Sequence, residues 1–232
     1  VFTEAREKEG LDRAFELTRD MLTFMFYALT AVVVLGEVIA PVIVGAMAPG
    51  FLDDSAAFGV TVKLTRIMFP FILLIGIASL LMGLLNSLGH FTAPAGAPVL
   101  LNVFMIGVPV AGYVVYPFFS RPEDAFAWGV ILGGIAQIAL QLIPVKTMKV
   151  PLGFSGNFYH PRLRQVLKLM GVAAVGASVY QLNVFIGTLL ASLLSPGSVS
   201  YLYYSARIFE LPLGLFAFSV SNVMLPEIAT AF

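Results

Sequence analysis

Arg207 and Glu210 stand three residues apart in SYLYYSARIFELPLGLFAF, residues 200–218, where nearly every other side chain is apolar or aromatic. A guanidinium is planar and permanently charged, and its fork of N–H donors matches a phosphate or a carboxylate. A carboxylate one helical turn away can hold that fork and partly neutralise it when no ligand is present. On a helix, Ser200, Tyr203, Tyr204, Arg207, Glu210 and Leu211 share one face, and Leu202, Ala206, Phe209 and Leu213 lie largely opposite. An ionisable side chain at mid-bilayer costs about 2.5–3.5 kcal/mol, so such a stripe must look at protein or at a wet cavity. Two readings stand: Arg207 serves an anionic ligand, or the pair is structural with a partner on another helix. Pro212 follows directly, removes one backbone bond and leaves the Ile208 carbonyl free, which membrane helices tolerate beside cavities.

Lys63 and Arg66, also three apart, lie near the start of another apolar run. They either snorkel to the outer interface along their stems or add positive charge to the mouth of a cavity. Glu37 sits deeper in the first apolar run, either partnered by a polar group on a neighbouring helix or serving as a proton or cation relay. Glu227 is a third acid near such a run, and Asn102 fits a helix-packing hydrogen bond better than a ligand contact. The chain has no cysteine, and its histidines, His90 and His160, fall in different loops. A disulfide framework, a thiolate or histidine metal site and a Ser/His triad are therefore not expected. GVILGG, residues 129–134, lies within a span, and no phosphate-cradling loop of the Walker type occurs. No catalytic residue, metal or cofactor is expected.

The elements that position these residues follow from composition. Of 232 residues, 59% are hydrophobic and 11% charged, under half the charge of a soluble domain. Such a chain belongs in a membrane. Runs of about 18 or more apolar residues can cross the hydrocarbon layer as helices. Six occur, at roughly 21–48, 58–88, 97–117, 126–145, 166–194 and 199–229. Helices are the default because backbone groups in lipid must be satisfied within the segment. The expected fold is an all-α membrane protein with six transmembrane helices.

The division of the chain follows from its charges and breakers. Residues 1–20 form a mixed-charge amphipathic lead-in, residues 21–145 hold four spans, 146–165 a basic linker and 166–232 two more spans. The mixed charge of the lead-in suits a solvated helix at the membrane surface better than a partner site. Lysine and arginine concentrate in the lead-in and in the long loop, which places residues 1–20 and 146–165 in the cytoplasm. Equal numbers of basic and acidic residues, 13 each, give no reason to expect nucleic acid. The chain begins at Val1, and we expect it to be a piece of a longer protein.

With those residues in view, SVSYLYYSARIFELPLG (198–214) resembles the eighth-helix signature of the MurJ/MviN lipid II flippases. APGF (48–51), FPFILLIGIASLLMGLLNS (69–87) and FTAPAGAPVLLN (91–102) resemble that family in the same order. The resemblance covers nearly the whole chain. It implies a two-lobe, fourteen-helix body of the multidrug/oligosaccharidyl-lipid/polysaccharide exporter type, of which this chain would supply helices three to eight. Residues 146–165 would then link the lobes. The resemblance also implies that Arg207 recognises a lipid-linked pyrophosphate, that Glu210 positions the arginine or competes with the anion, and that Ser200 adds a hydrogen bond. Lys63, Arg66 and Glu37 remain candidates for further cavity charges. Two positions depart from the family pattern: Ala206 stands where an aspartate is usual, and Tyr201 where a tryptophan is. The family's other cavity arginines lie on helices one and two, outside the part this chain resembles.

The implied function is flipping of lipid II, an undecaprenyl-pyrophosphate-linked precursor, across the bacterial inner membrane by alternating access. The expected partners are that lipid, membrane lipid and the remainder of the same polypeptide. The alternatives are an exporter of another lipid-linked saccharide or small molecule on the same fold, or a non-transporting membrane scaffold. A membrane enzyme acting on polyprenyl phosphates would need clustered acids, histidine or serine near one interface, and the acids here are scattered.

Overall fold

The computed structural model describes residues 2–115, 118–119, 121–155 and 161–212. His160, Glu227 and the second half of the sixth apolar run lie outside them. The described residues are all helical apart from turns and short connections. In chain order the helices are α1 (Phe2–Glu9), α2 (Leu11–Met47), α3 (Ser55–Met68), α4 (Phe71–Ser87), α5 (Thr92–Pro109), α6 (Pro122–Thr147), α7 (Pro161–Ser192) and α8 (Ser198–Pro212). Among the described residues, five helical stretches are long and apolar enough to cross a membrane: Leu11–Met47, Ser55–Ser87, Thr92–Gly112, Pro122–Thr147 and Arg164–Ser192.

Prolines set the irregularities. The expected single run at 58–88 is two helices, because Pro70 at the N-cap of α4 has no N–H to continue the ladder from α3. After Pro109 the backbone widens into a π-helical turn over Val110–Val115. In the first turn of α6, Pro122 occupies a position where the missing donor costs nothing, and Glu123 and Asp124 complement the helix dipole.

By contacts the chain forms two compact units. The first comprises Val1–Ile43 with Gly59–Ser178, and the second Val44–Phe58 with Val179–Phe232. One boundary between these units falls within α7, which is exposed all round from Lys168 to Val184.

In the first unit α6 runs antiparallel to α5 and alongside α4. Close approach comes from the glycines of α6. A methyl group at Gly129 would stand 2.9 Å from the Phe104 carbonyl oxygen, and one at Gly133 would stand 3.0 Å from the Leu101 Cα. Small residues let membrane helices pack backbone to backbone, where dispersion replaces the hydrophobic drive. Leu81, Leu84 and Leu85 of α4 bury themselves with Val145 of α6 and Ala93 of α5.

The lead-in is packed as well as charged. Ala5, Ala14, Leu17 and Met21 form a buried cluster against Leu80 of α4. Arg6, Glu7, Lys8, Asp12 and Arg13 stay exposed. Arg6 Nη1 also donates to the Ser87 carbonyl at the end of α4, at 3.1 Å. The helix that begins at Leu11 runs unbroken into the first span, so charged and apolar segments form one rod. Its 37 residues measure about 55 Å, well beyond the hydrocarbon thickness. After α6 the loop does not run free: Ser155 N–H donates to Thr23 Oγ1 at 2.8 Å, and Phe154 meets Phe26 edge-on.

Candidate functional site

The second unit contains an antiparallel hairpin, α7 into α8, turned at residues 193–197. Gly197 adopts φ +94°, a left-handed conformation that side chains resist, and α8 starts immediately after it. Leu202 of α8 lies over Gly187 of α7, 3.6 Å from where a methyl group there would stand. Farther from the turn, the hairpin carries its charges.

Arg207 Nη1 donates to Glu210 Oε2 at 2.8 Å, and the guanidinium carbon stands 5.1 Å above the ring centre of Tyr203. The pairing is single-pronged: one guanidinium nitrogen meets one carboxylate oxygen. The second oxygen, Oε1, accepts from the Tyr180 hydroxyl of α7 at 3.1 Å. Both charged side chains are open, Arg207 at 62% and Glu210 at 42% exposure. An exposed pair of this kind is screened by solvent and adds little to the fold. Its guanidinium is steered by an aromatic face and one carboxylate oxygen, and it remains accessible to an incoming anion. Such an arrangement can bind a phosphate by exchange, with the carboxylate as the group displaced.

Tyr180 was not singled out in the sequence, although helix geometry offers a signal. It lies 12 residues before the end of α7, and Glu210 lies 12 residues after the start of α8. Each is therefore about 18 Å from the turn along its helix. A partner for Glu210 on α7 had to come from that depth.

Ser200 lies on α8 two helical turns nearer the hairpin end than Arg207, about 10 Å along the axis. It lines a separate small cleft of about 250 Å³ with Gly50, Asp54, Ser192, Ser195 and Ser198. Arg207 and Glu210 are thus brought together, and Ser200 shares their helix at another depth.

Lys63, Arg66 and Glu37 fall in the first unit, and each has a local explanation. Lys63 Nζ reaches both carboxylate oxygens of Asp124 at 2.7 Å, and Asp124 is only 14% exposed. Arg66 Nε donates to the backbone carbonyl of Glu37 at 3.0 Å. That carbonyl is the one Pro41, four residues on, leaves without its helical donor. The Phe69 ring lies against Gly36 beside it, where any side chain would collide. Asn102 is exposed on α5. Among the described residues, no group of three or more His, Asp or Glu stands where it could hold a metal ion.

Comparison with known proteins identifies the family of this chain. The family described as Lipid II flippase MurJ matches residues 1–232. The chain belongs to that family. It is 37% identical over 235 residues to the lipid II flippase MurJ of Burkholderia cenocepacia, covering 100% of this chain and 45% of that one. The probable lipid II flippase MurJ of Rhizobium meliloti is 35% identical over 238 residues, 100% of this chain and 43% of that one. The probable flippase of Bdellovibrio bacteriovorus is 30% identical over 228 residues, with 98% and 43% covered. The chain spans less than half the length of these relatives. With its apolar helices, family membership makes it a multi-pass inner-membrane protein.

Proposed function

We propose that this chain is the central part of a flippase that moves lipid II across the inner membrane, and that Arg207 engages the pyrophosphate of that lipid. The observation that carries the reading is the exposed Arg207–Glu210 pair, held one turn apart on a polar stripe within an apolar helix. A cation kept open in such a segment costs insertion energy and adds little stability, so a ligand is its most economical explanation. In the resting arrangement Glu210 occupies one prong of the fork. The pyrophosphate displaces it and takes a two-pronged grip, and Ser200 adds a hydrogen bond higher along the passage. The lobes then rock to expose the head group on the other side while the prenyl tail stays in lipid. No covalent step occurs, so the chain is not an enzyme.

Support for the wider architecture comes from family membership and from the five described spans. The chain would supply helices three to eight of a two-lobe, fourteen-helix body. Residues 146–165 join the lobes on the cytoplasmic side with residues 1–20. Lys63 and Arg66 act as structural cations and Glu37 as the site of a capped backbone carbonyl, which narrows the proposed ligand-binding set to α8.

The test is a chimera in which this chain replaces the matching segment of the Burkholderia cenocepacia relative, expressed in bacteria depleted of their own lipid II flippase. Growth and outward head-group exposure are expected with the parent chimera and lost with Arg207→Ala at equal membrane abundance. Loss with Arg207→Lys as well assigns the fork geometry rather than charge alone. Rescue by Arg207→Ala would overturn the assignment of Arg207.

A further inference from the structure

We propose that Tyr180 is a positioning residue of this anion site, which holds Glu210 so that it can release Arg207. The inference rests on the reading of Arg207 as a phosphate-binding group. It begins from how the three side chains share one carboxylate. The Tyr180 hydroxyl takes Oε1 and Arg207 Nη1 takes Oε2. A carboxylate with both oxygens free closes on a guanidinium through two parallel bonds, the strongest of the common ion-pair geometries. With Tyr180 drawing Oε1 toward α7, the pair in this structure has one guanidinium bond, at Oε2. The latch on Arg207 is single in this arrangement, and an anion has one bond to break rather than two.

The same hydroxyl gives the displaced carboxylate somewhere to stay. When a phosphate takes the fork, Glu210 keeps its bond to Tyr180 and is not left unpaired in an apolar surround, where an orphaned charge is expensive. Placement supports this role over simple packing. Tyr180 belongs to α7, is 61% exposed and lies at the same distance from the turn as Glu210. Its neighbours Val179 and Leu182 are likewise exposed, and within the described residues the ring's polar contact is through its hydroxyl. The Tyr180 hydroxyl contact therefore couples α7, the hairpin's first helix, to the state of Arg207 on α8.

The experiment is a double-mutant cycle on the full-length chimera in detergent, with farnesyl pyrophosphate as the probe and Kd as the readout. Tyr180→Phe removes one oxygen and leaves the ring. It is expected to weaken binding about three- to tenfold, the scale of one hydrogen bond in a membrane protein. In a Glu210→Gln background, where no carboxylate competes, the same substitution is expected to have no effect. Arg207→Ala is run beside them and is expected to abolish binding. A Tyr180→Phe effect of equal size in both backgrounds, no effect in the parent, or tighter binding would overturn the positioning role while the Arg207 reading stands. Unchanged binding by Arg207→Ala would remove the anion site and this proposal with it.

Discussion

The bundle of α4, α5 and α6 and the hairpin of α7 and α8 have similar apolar content and use their polar residues in opposite ways. In the unit that holds this bundle, three polar side chains of α3 and α6 make contacts internal to the fold. Lys63 closes on Asp124, Arg66 caps the carbonyl that Pro41 frees, and Gln141 of α6, itself buried, donates to the Gln137 carbonyl. In the hairpin, Tyr180, Arg207 and Glu210 satisfy one another while remaining open. The lesson is that charge within a membrane segment does not by itself mark a ligand site. The difference lies in the partner: Asp124 is 14% exposed beside Lys63, whereas Glu210 is 42% exposed beside Arg207, so both members of the α8 pair are open.

Glycines give the sharpest way to break this contrast. Gly129→Ala drives a methyl group into the α5 backbone and is expected to cost about 1–3 kcal/mol. Gly176→Ala on α7 meets nothing within 4 Å and is expected to stabilise the helix by up to about 1 kcal/mol. Thermal midpoints of residues 1–232 in detergent should therefore move in opposite directions. Movement in the same direction would mean that the two regions do not differ in packing.

Arg66→Ala leaves the Glu37 carbonyl without a donor and is expected to cost about 1 kcal/mol. Pro41→Ala restores the helical donor, so the cost of Arg66→Ala should shrink in that background. A cycle on unfolding midpoints reads the coupling, and strict additivity would rule out the capping role. Lys63→Ala is expected to have a smaller effect, about 0.5–1 kcal/mol, because the ammonium is 57% exposed. Much of that should return with Asp124→Asn, which removes the orphaned charge.

Much of this organisation is legible in the sequence, and the rest is missing for identifiable reasons. Apolar runs and breakers locate the spans because lipid leaves few options. The pairing of Arg207 with Glu210 follows from one turn of helix. Contacts between distant residues do not: nothing local joins Lys63 to Asp124, 61 residues away, or Arg66 to the Glu37 carbonyl, 29 residues away. The presence of Pro41 announces a free carbonyl and does not say which donor will fill it. The lead-in reads as solvated from its charges, while the small residues Ala5 and Ala14, which let it pack, carry almost no signal. Tyr180 needed the hairpin register, which depends on where α7 ends and α8 begins.

The central claim is that the charge pair of α8 serves a ligand and not the fold. The direct measurement is made on one variant, Arg207→Ala in the full-length chimera, with thermal midpoint and lipid II head-group exposure determined on the same preparation and at the same membrane abundance. The account predicts a midpoint changed by no more than that of a surface substitution, with transport lost. A midpoint that falls as transport falls, or transport that survives, would contradict it and return Arg207 and Glu210 to the structural class of Lys63 and Asp124.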